Sequence, residues 1–364
     1  MKKVIAVLTA SLLAVFALTG CSKSNSKNFA ATYFSKNAET TGTATVSETL
    51  TYDVSSYTKL SDTYLKGLFP EISVLNEDLS FEVDSSNSNY TTTIYNTEDG
   101  KNYVFKSRLI IAGKYVYGSK KTEYAVERDV TDITVTFKGI GSKFQPVSVT
   151  KTAKNVVPLS TAPSSEKDFV TLDYTYTVAY GSSAKITVKA NDDTTAKYFT
   201  AQTRKPTEIK KWNKKDFVEN DILYTVFRNF DYSPDFSYAY NTIDAVSGAL
   251  TSASASMIGS ATASTIVKLP SNVNLYGYSF SSFSAFNAYG VKFATTGKYG
   301  KAYAYSYFAK SINYGGEAAD KDDKNDKNET RRVPLIIAQP SIHNTGYLVF
   351  TLKSANGSST EDLN

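Results

Sequence analysis

Cysteine, histidine and tryptophan each occur once in this 364-residue chain, as Cys21, His343 and Trp212. A single Cys21 excludes any intrachain disulfide, so a folded body must hold together by packing. A single His343, following Pro340 just before the last apolar run, leaves little for a serine triad or a zinc site, both of which need a histidine working with partners. No Gly-x-Ser-x-Gly, phosphate-cradling glycine loop or Ser-x-x-Lys occurs. A carboxylate pair for glycoside chemistry has no distinguishing spacing among 35 acidic residues. Long apolar runs are missing beyond residue 18. Strong charge is missing too: the net +5 falls to +3 once Lys2 and Lys3 are set aside. That mild balance gives no case for nucleic acid.

What is abundant is aromatic: 27 tyrosines and 20 phenylalanines. With Thr and Val, these residues favour pleated, half-buried strands. Tyrosine-rich surfaces also hold sugars and other ligands through flat, amphipathic rings.

The N-terminus is a segment of its own. Lys2 and Lys3 precede an apolar run from Ile5 to Leu18, too short for a permanent membrane span. It ends in Leu18-Thr19-Gly20-Cys21, which resembles the lipobox of bacterial lipoproteins. The resemblance implies a signal peptide over residues 1–20, cleavage before Cys21, and a diacylglycerol thioether on Cys21. It implies a protein held on the outer, extracytoplasmic face of the cell membrane, with the bilayer as a partner through its acyl chains. Residues 21–41 are small and polar and read as a flexible tether.

Behind the tether, the pattern predicts an α+β body, mainly antiparallel sheet with one or two packing helices. The first β-rich half covers residues 42–157. A helix is expected within Leu60–Leu75, capped at Ser61, and strands at Thr43–Val54, Leu79–Val83, Tyr90–Tyr95, Tyr103–Phe105, Leu109–Tyr117, Glu123–Glu127, Ile133–Phe137 and Phe144–Thr152. Asn155–Lys167, with Pro158 and Pro163, reads as a linker. The second half, residues 168–354, opens with a hairpin around Gly181-Ser182-Ser183. The strongest helix pattern of the chain is Asn213–Phe230, where Phe217, Val218, Ile222, Leu223, Val226, Phe227 and Phe230 form an apolar face. Strands are expected again at Asn274–Phe280, Ala288–Phe293, Ala302–Phe308, Val333–Ala338 and Tyr347–Leu352. Both halves run strands, helix, meander, and Asn76–Phe81 echoes Ser233–Tyr238, which suggests a duplicated unit. Thr242–Lys268 reads as a thin amphipathic helix or a loop, and Gly315–Arg332 as a solvated charge run.

Two stretches bear on chemistry. Asp244–Ser252 resembles the Asp-x-x-Ser-Gly-Ala-Thr-x-Thr motif of proteins that carry FMN on a threonine. Leu250 stands where the acceptor belongs, and Thr251 comes one residue late. Asp320–Glu329 has the density of a calcium loop but carries Lys324 and Lys327 and has no central glycine. The expectation is therefore a non-catalytic lipoprotein without cofactor or metal. Its envelope ligand, an amphipathic or neutral lipid, peptide or glycan, would lie in a Tyr- and Phe-lined groove between the sheet and helix 213–230. The alternatives are an FMN redox carrier using Thr251 and a structural envelope protein.

Overall fold

A computed structural model describes residues 47–357, apart from 70–71, 73–77, 98–101, 141–142, 201–206, 214–215, 229, 231, 245–247, 259–264, 298–299, 311, 314–327, 330–331 and 342–344. Cys21, the tether, His343 and most of the 315–332 charge run lie outside the described residues.

The chain runs β1 (Ser47–Ser56), α1 (Thr63–Gly67), β2 (Leu79–Val83), β3 (Asn89–Asn96), β4 (Tyr103–Tyr117), β5 (Thr122–Ile140), β6 (Lys143–Pro158), β7 (Phe169–Tyr180), β8 (Ser183–Ala190), α2 (Asp193–Thr200) and β9 (Thr207–Lys210). It continues with α3 (Leu223–Phe227), β10 (Ser237–Asp244), β11 (Ala249–Met257), β12 (Thr265–Lys268), β13 (Val273–Leu275), β14 (Tyr278–Phe280), β15 (Ala285–Gly297) and β16 (Gly300–Ala309). The last elements are β17 (Ile312–Asn313), β18 (Asn328–Glu329), β19 (Pro334–Pro340) and β20 (Tyr347–Gly357). All strands but β17 and β18 join one sheet. The body is thus mostly antiparallel β-structure with few helices.

From β3 to β9 each strand pairs with the next, a long meander. Beside β3 lies β1, whose other neighbour is β20. The sheet goes on through β19, β16, β15 and β11 to β10. Period-two burial explains the strands: in β8, Ala184 and Ile186 are buried while Lys185 and Thr187 are exposed. The pieces expected at 103–105 and 109–117 fuse into β4, and those at 123–127 and 133–137 into β5. In both cases the intervening residues keep the ladder.

The sheet curls back on itself. Gly248, at φ +64°, turns β10 into β11, and a Cβ there would lie 3.7 Å from Ile186 and 3.8 Å from Thr207, on β8 and β9. The free edge of β10 is covered by residues 216–218: the Val218 N–H donates to Asn241 O at 2.9 Å, and the Asn241 N–H to Asp216 O at 2.7 Å. Two apolar clusters fill the interior. One gathers Tyr52, Phe69, Phe81, Tyr115, Leu335 and Phe350. The other gathers Phe105, Val135, Val178, Phe227, Tyr240 and Phe293 around the segment that follows β9.

Four expectations need correction. The helix expected over Asn213–Phe230 is a bridge at Phe217, a 3-10 turn at Asn220–Ile222 and the five-residue α3. Its apolar residues meet several walls rather than one. Phe217 packs on Trp212 and Tyr180, while Phe227 packs on Phe230, Tyr240 and Phe293. Contacts with several walls spread the apolar residues around the segment, with Asp216 and Asn220 left exposed and Glu219 and Arg228 buried, so helical spacing carries little information. Among the described residues of Leu60–Leu75 only α1 is helical, and Asp62 rather than Ser61 caps it, accepting the Tyr64 N–H at 2.7 Å. The linker begins later than expected, because Asn155–Pro158 pair with β7. The described residues of Thr242–Lys268 are mostly strand, the end of β10, β11 and β12, with Ala253 and Ala255 inward. The pairing scheme does not establish a duplicated unit.

Candidate functional site

The space between the sheet and the 213–230 segment is closed. Ile222, Leu223, Val226 and Phe227 are all buried, and the gap left beside them is about 20 Å³, lined by Tyr52, Tyr90, Asp221, Tyr224 and Arg228 among others. That holds about one water molecule. Where it is described, the segment packs against the sheet the apolar side chains that suggested a groove.

The same segment carries two of the buried charged residues among those described, Glu219 and Arg228. Arg228 and Glu48, each 2% exposed, form a bidentate pair at 2.5 and 3.0 Å, and the Tyr276 hydroxyl also donates to Glu48. Glu219 accepts the Tyr180 hydroxyl on one oxygen and the Asp221 N–H on the other, at 3.4 Å. Burial first, then the nearby Asp221 charge, pushes the Glu219 carboxyl up to about 7. The Asp221 carboxylate in turn raises Lys151, whose Nζ lies 3.7 Å away. Burial and the Glu219 carboxylate both push Tyr180 up, and its ring packs on Trp212 at 4.7 Å. Such a cluster has the electrostatics of a proton-transfer site, and the gap beside Asp221, at about 20 Å³, is too small for a substrate.

Concavity is found on the outer face instead. A cleft of about 1160 Å³ opens where β2, β4 and β5 meet, lined by Lys59, Glu82, Asp84, Asn87, Asn89, Lys114, Glu127 and Arg128 among others. Its floor exists because β2 and β4 approach closely at a bulge. A Cβ on Gly113 would sit 2.2 Å from the Glu82 carbonyl oxygen, so only glycine fits. Glu82 lies 2.9 Å from Lys59 and 3.9 Å from Lys114, and Lys114 also binds Glu123. Asp84 shapes one wall: it accepts from Ser86 and Asn87, and these bonds hold its carboxyl below the usual range.

Beyond the cleft, register lines up hydroxyls. Thr49, Thr93, Lys106, Thr134, Thr150, Thr177 and Thr187 lie side by side across seven strands, from β1 to β8. Two residues along runs a second row, Thr51, Thr91, Arg108, Asp132, Thr152, Thr175 and Lys189. All point away from the core, because their chain neighbours Leu50, Ile94, Phe105, Val135, Val149, Val178 and Ile186 are buried. The Thr49 and Thr93 hydroxyls are 3.2 Å apart, and Arg108 lies 3.7 Å from Asp132. At about 4.8 Å per strand, a row extends for roughly 29 Å.

Thr251 sits on β11, where its hydroxyl is already donated to the Thr296 carbonyl, and Asp244 ends a strand rather than starting a helix. Among the described residues no three carboxylate, histidine or cysteine side chains gather as a metal would need. No described helix is long and apolar enough to cross a membrane. Comparison with family models, with curated proteins and with solved structures finds no match to this chain. Sequence reasoning missed the hydroxyl rows and the cleft alike. Repeated Thr-x-Thr, at 49–51, 91–93, 134–136, 150–152 and 175–177, was the available signal.

Proposed function

We propose that this chain is a non-catalytic bacterial lipoprotein, acylated on Cys21, that holds a hydroxyl-rich polymer, a glycan strand, against the outer face of β1–β8. The observation that carries the reading is the seven-strand threonine row beside a hydrophilic cleft. Threonine hydroxyls donate and accept, so they match a neutral polyol without regard to its direction. Each such bond contributes about 1 kcal/mol or less against water, so a useful affinity needs many in register. The row supplies that repetition, and the cleft supplies charged groups for one substituted or terminal unit.

Co-sedimentation with insoluble chitin, cellulose and peptidoglycan sacculi tests the binding, and intact mass of the membrane-extracted protein tests Cys21. The expected result is retention on at least one polymer, released by its soluble oligosaccharides and reduced in Thr134→Val/Thr150→Val/Thr177→Val. A wild-type chain that stays in solution with all three polymers overturns the glycan reading.

A further inference from the structure

Seven large apolar side chains stand well exposed among the described residues, and hydrogen bonds place three of them along the 266–269 stretch. Ile266 is 55% exposed on the outward side of β12. Tyr64, on α1, reaches across to it: the Tyr64 hydroxyl donates to Ile266 O and accepts the Lys268 N–H at 3.2 Å. Phe283 is the most exposed of the seven at 58%, and its N–H donates to Leu269 O at 2.7 Å, three residues beyond Ile266.

Phe283 is also held under strain. Its φ is +62°, a left-handed conformation that a bulky residue adopts only when its surroundings impose it. The surroundings do so. Ser282 N–H donates to Asn272 Oδ1 at 2.8 Å, Ser284 N–H to Ser281 O at 3.1 Å, and the Ser281 and Ser284 hydroxyls lie 3.4 Å apart. Below the turn, Phe280 packs edge-on against buried Phe286 at 5.3 Å. A braced turn thus holds one aromatic ring in solvent next to the end of the stretch that carries exposed Ile266 and Lys268 and receives Tyr64.

We infer that this corner, Tyr64, Ile266, Lys268 and Phe283, is the face by which the body rests on the headgroup zone of a phospholipid bilayer. The chemistry is that of the membrane interface: aromatic rings with one wet edge, an aliphatic wedge and a lysine for phosphate. The inference rests on the lipoprotein reading for the occupant. Residues 21–46 join Cys21 to β1, and at about 3.3 Å per residue that length lets any corner reach the surface to which the acyl group binds. An unacylated chain would meet that surface only in passing, because three side chains bury too little to hold it there.

The test uses the full chain in vesicles of phosphatidylglycerol and phosphatidylcholine. Ser282→Cys places a thiol on the turn, and Ser182→Cys places one on the exposed β7–β8 turn as a control. Both are labelled with a polarity-sensitive fluorophore, with the wild-type chain as blank for any label on Cys21. The expected result is a blue shift and strong quenching by a lipid-borne nitroxide at position 282, several-fold above position 182, and lost when Phe283→Ser is added. Equal, aqueous-like signals at 282 and 182 overturn the inference. Mass spectrometry of the same samples separates the two readings: an unmodified Cys21 defeats the lipid tether, whereas acylated Cys21 with an aqueous turn defeats only the docking face.

Discussion

The two faces of β5, β6 and β7 are built from alternate residues of the same strands and follow opposite rules. Inward, Val135, Val149 and Val178 pack, and the charged groups beside them, Lys151 with Asp221 and Tyr180 with Glu219, are matched. Outward, Thr134, Thr150 and Thr177 stand in register with water on one side. The inner face is where stability resides, because an unmatched group there has no solvent to fall back on. The outer face can vary with little effect on folding, so its regularity calls for a different explanation. Binding is the one proposed above.

The contrast can be broken most sharply at Arg228. Arg228→Met leaves Glu48 buried with its charge unmatched, and the unfolding free energy in urea is expected to drop by about 3–5 kcal/mol. Adding Glu48→Gln should restore part of it. A loss below about 1 kcal/mol would show that the pair is not what ties α3 to β1.

Gly113→Ala comes next. The new methyl meets the Glu82 carbonyl at 2.2 Å and forces β2 from β4, at a cost of about 2 kcal/mol. Because Gly113 floors the cleft, this variant joins a stability loss to a change on the outer face.

Glu219 adds pH. Its folded-state value lies above the ordinary 4.5, at about 7, so the native state holds the proton more tightly than the unfolded chain does. The contribution is fully present below about pH 4.5 and is lost as pH rises through about 7, up to roughly 3 kcal/mol in all. Glu219→Gln should flatten the slope of unfolding midpoint against pH between 5 and 7.5. A wild-type slope retained in the variant would assign the dependence to another group.

The smallest structural effect belongs to the outer row. Thr150→Val/Thr177→Val is expected to leave stability within about 0.5 kcal/mol while weakening polymer retention. A large thermal shift instead would make the row a structural ladder.

Strand positions were legible where one face is dry and the other wet. Leu79–Val83 was read to the residue, and the hairpin around 181–183 fell where its glycine and small polar residues put it. The 213–230 segment was misread because its apolar residues serve several walls, so their spacing follows separate contacts rather than one helical face. Thr242–Lys268 was misread because its alternation uses alanine and serine, whose sizes and polarities differ little. The candidate site was almost illegible for another reason. A row across seven strands is a property of register, and register depends on turns and bulges such as those at 111–113 and 136–137. Likewise Glu48 and Arg228 are 180 residues apart, and nothing local in either stretch points to the other.

One pairing has a temporal meaning. β1 lies between β3 and β20, with Glu48 opposite both Ile94 and Gly357. The second of these contacts closes a loop of some 300 residues, at about 2 kcal/mol more in chain entropy than a loop tenfold shorter. Contacts of such separation form late and slow a fold down. The seam between β1 and β20 therefore closes only once the last strand has joined, whereas the β3–β9 ladders close between neighbours in sequence.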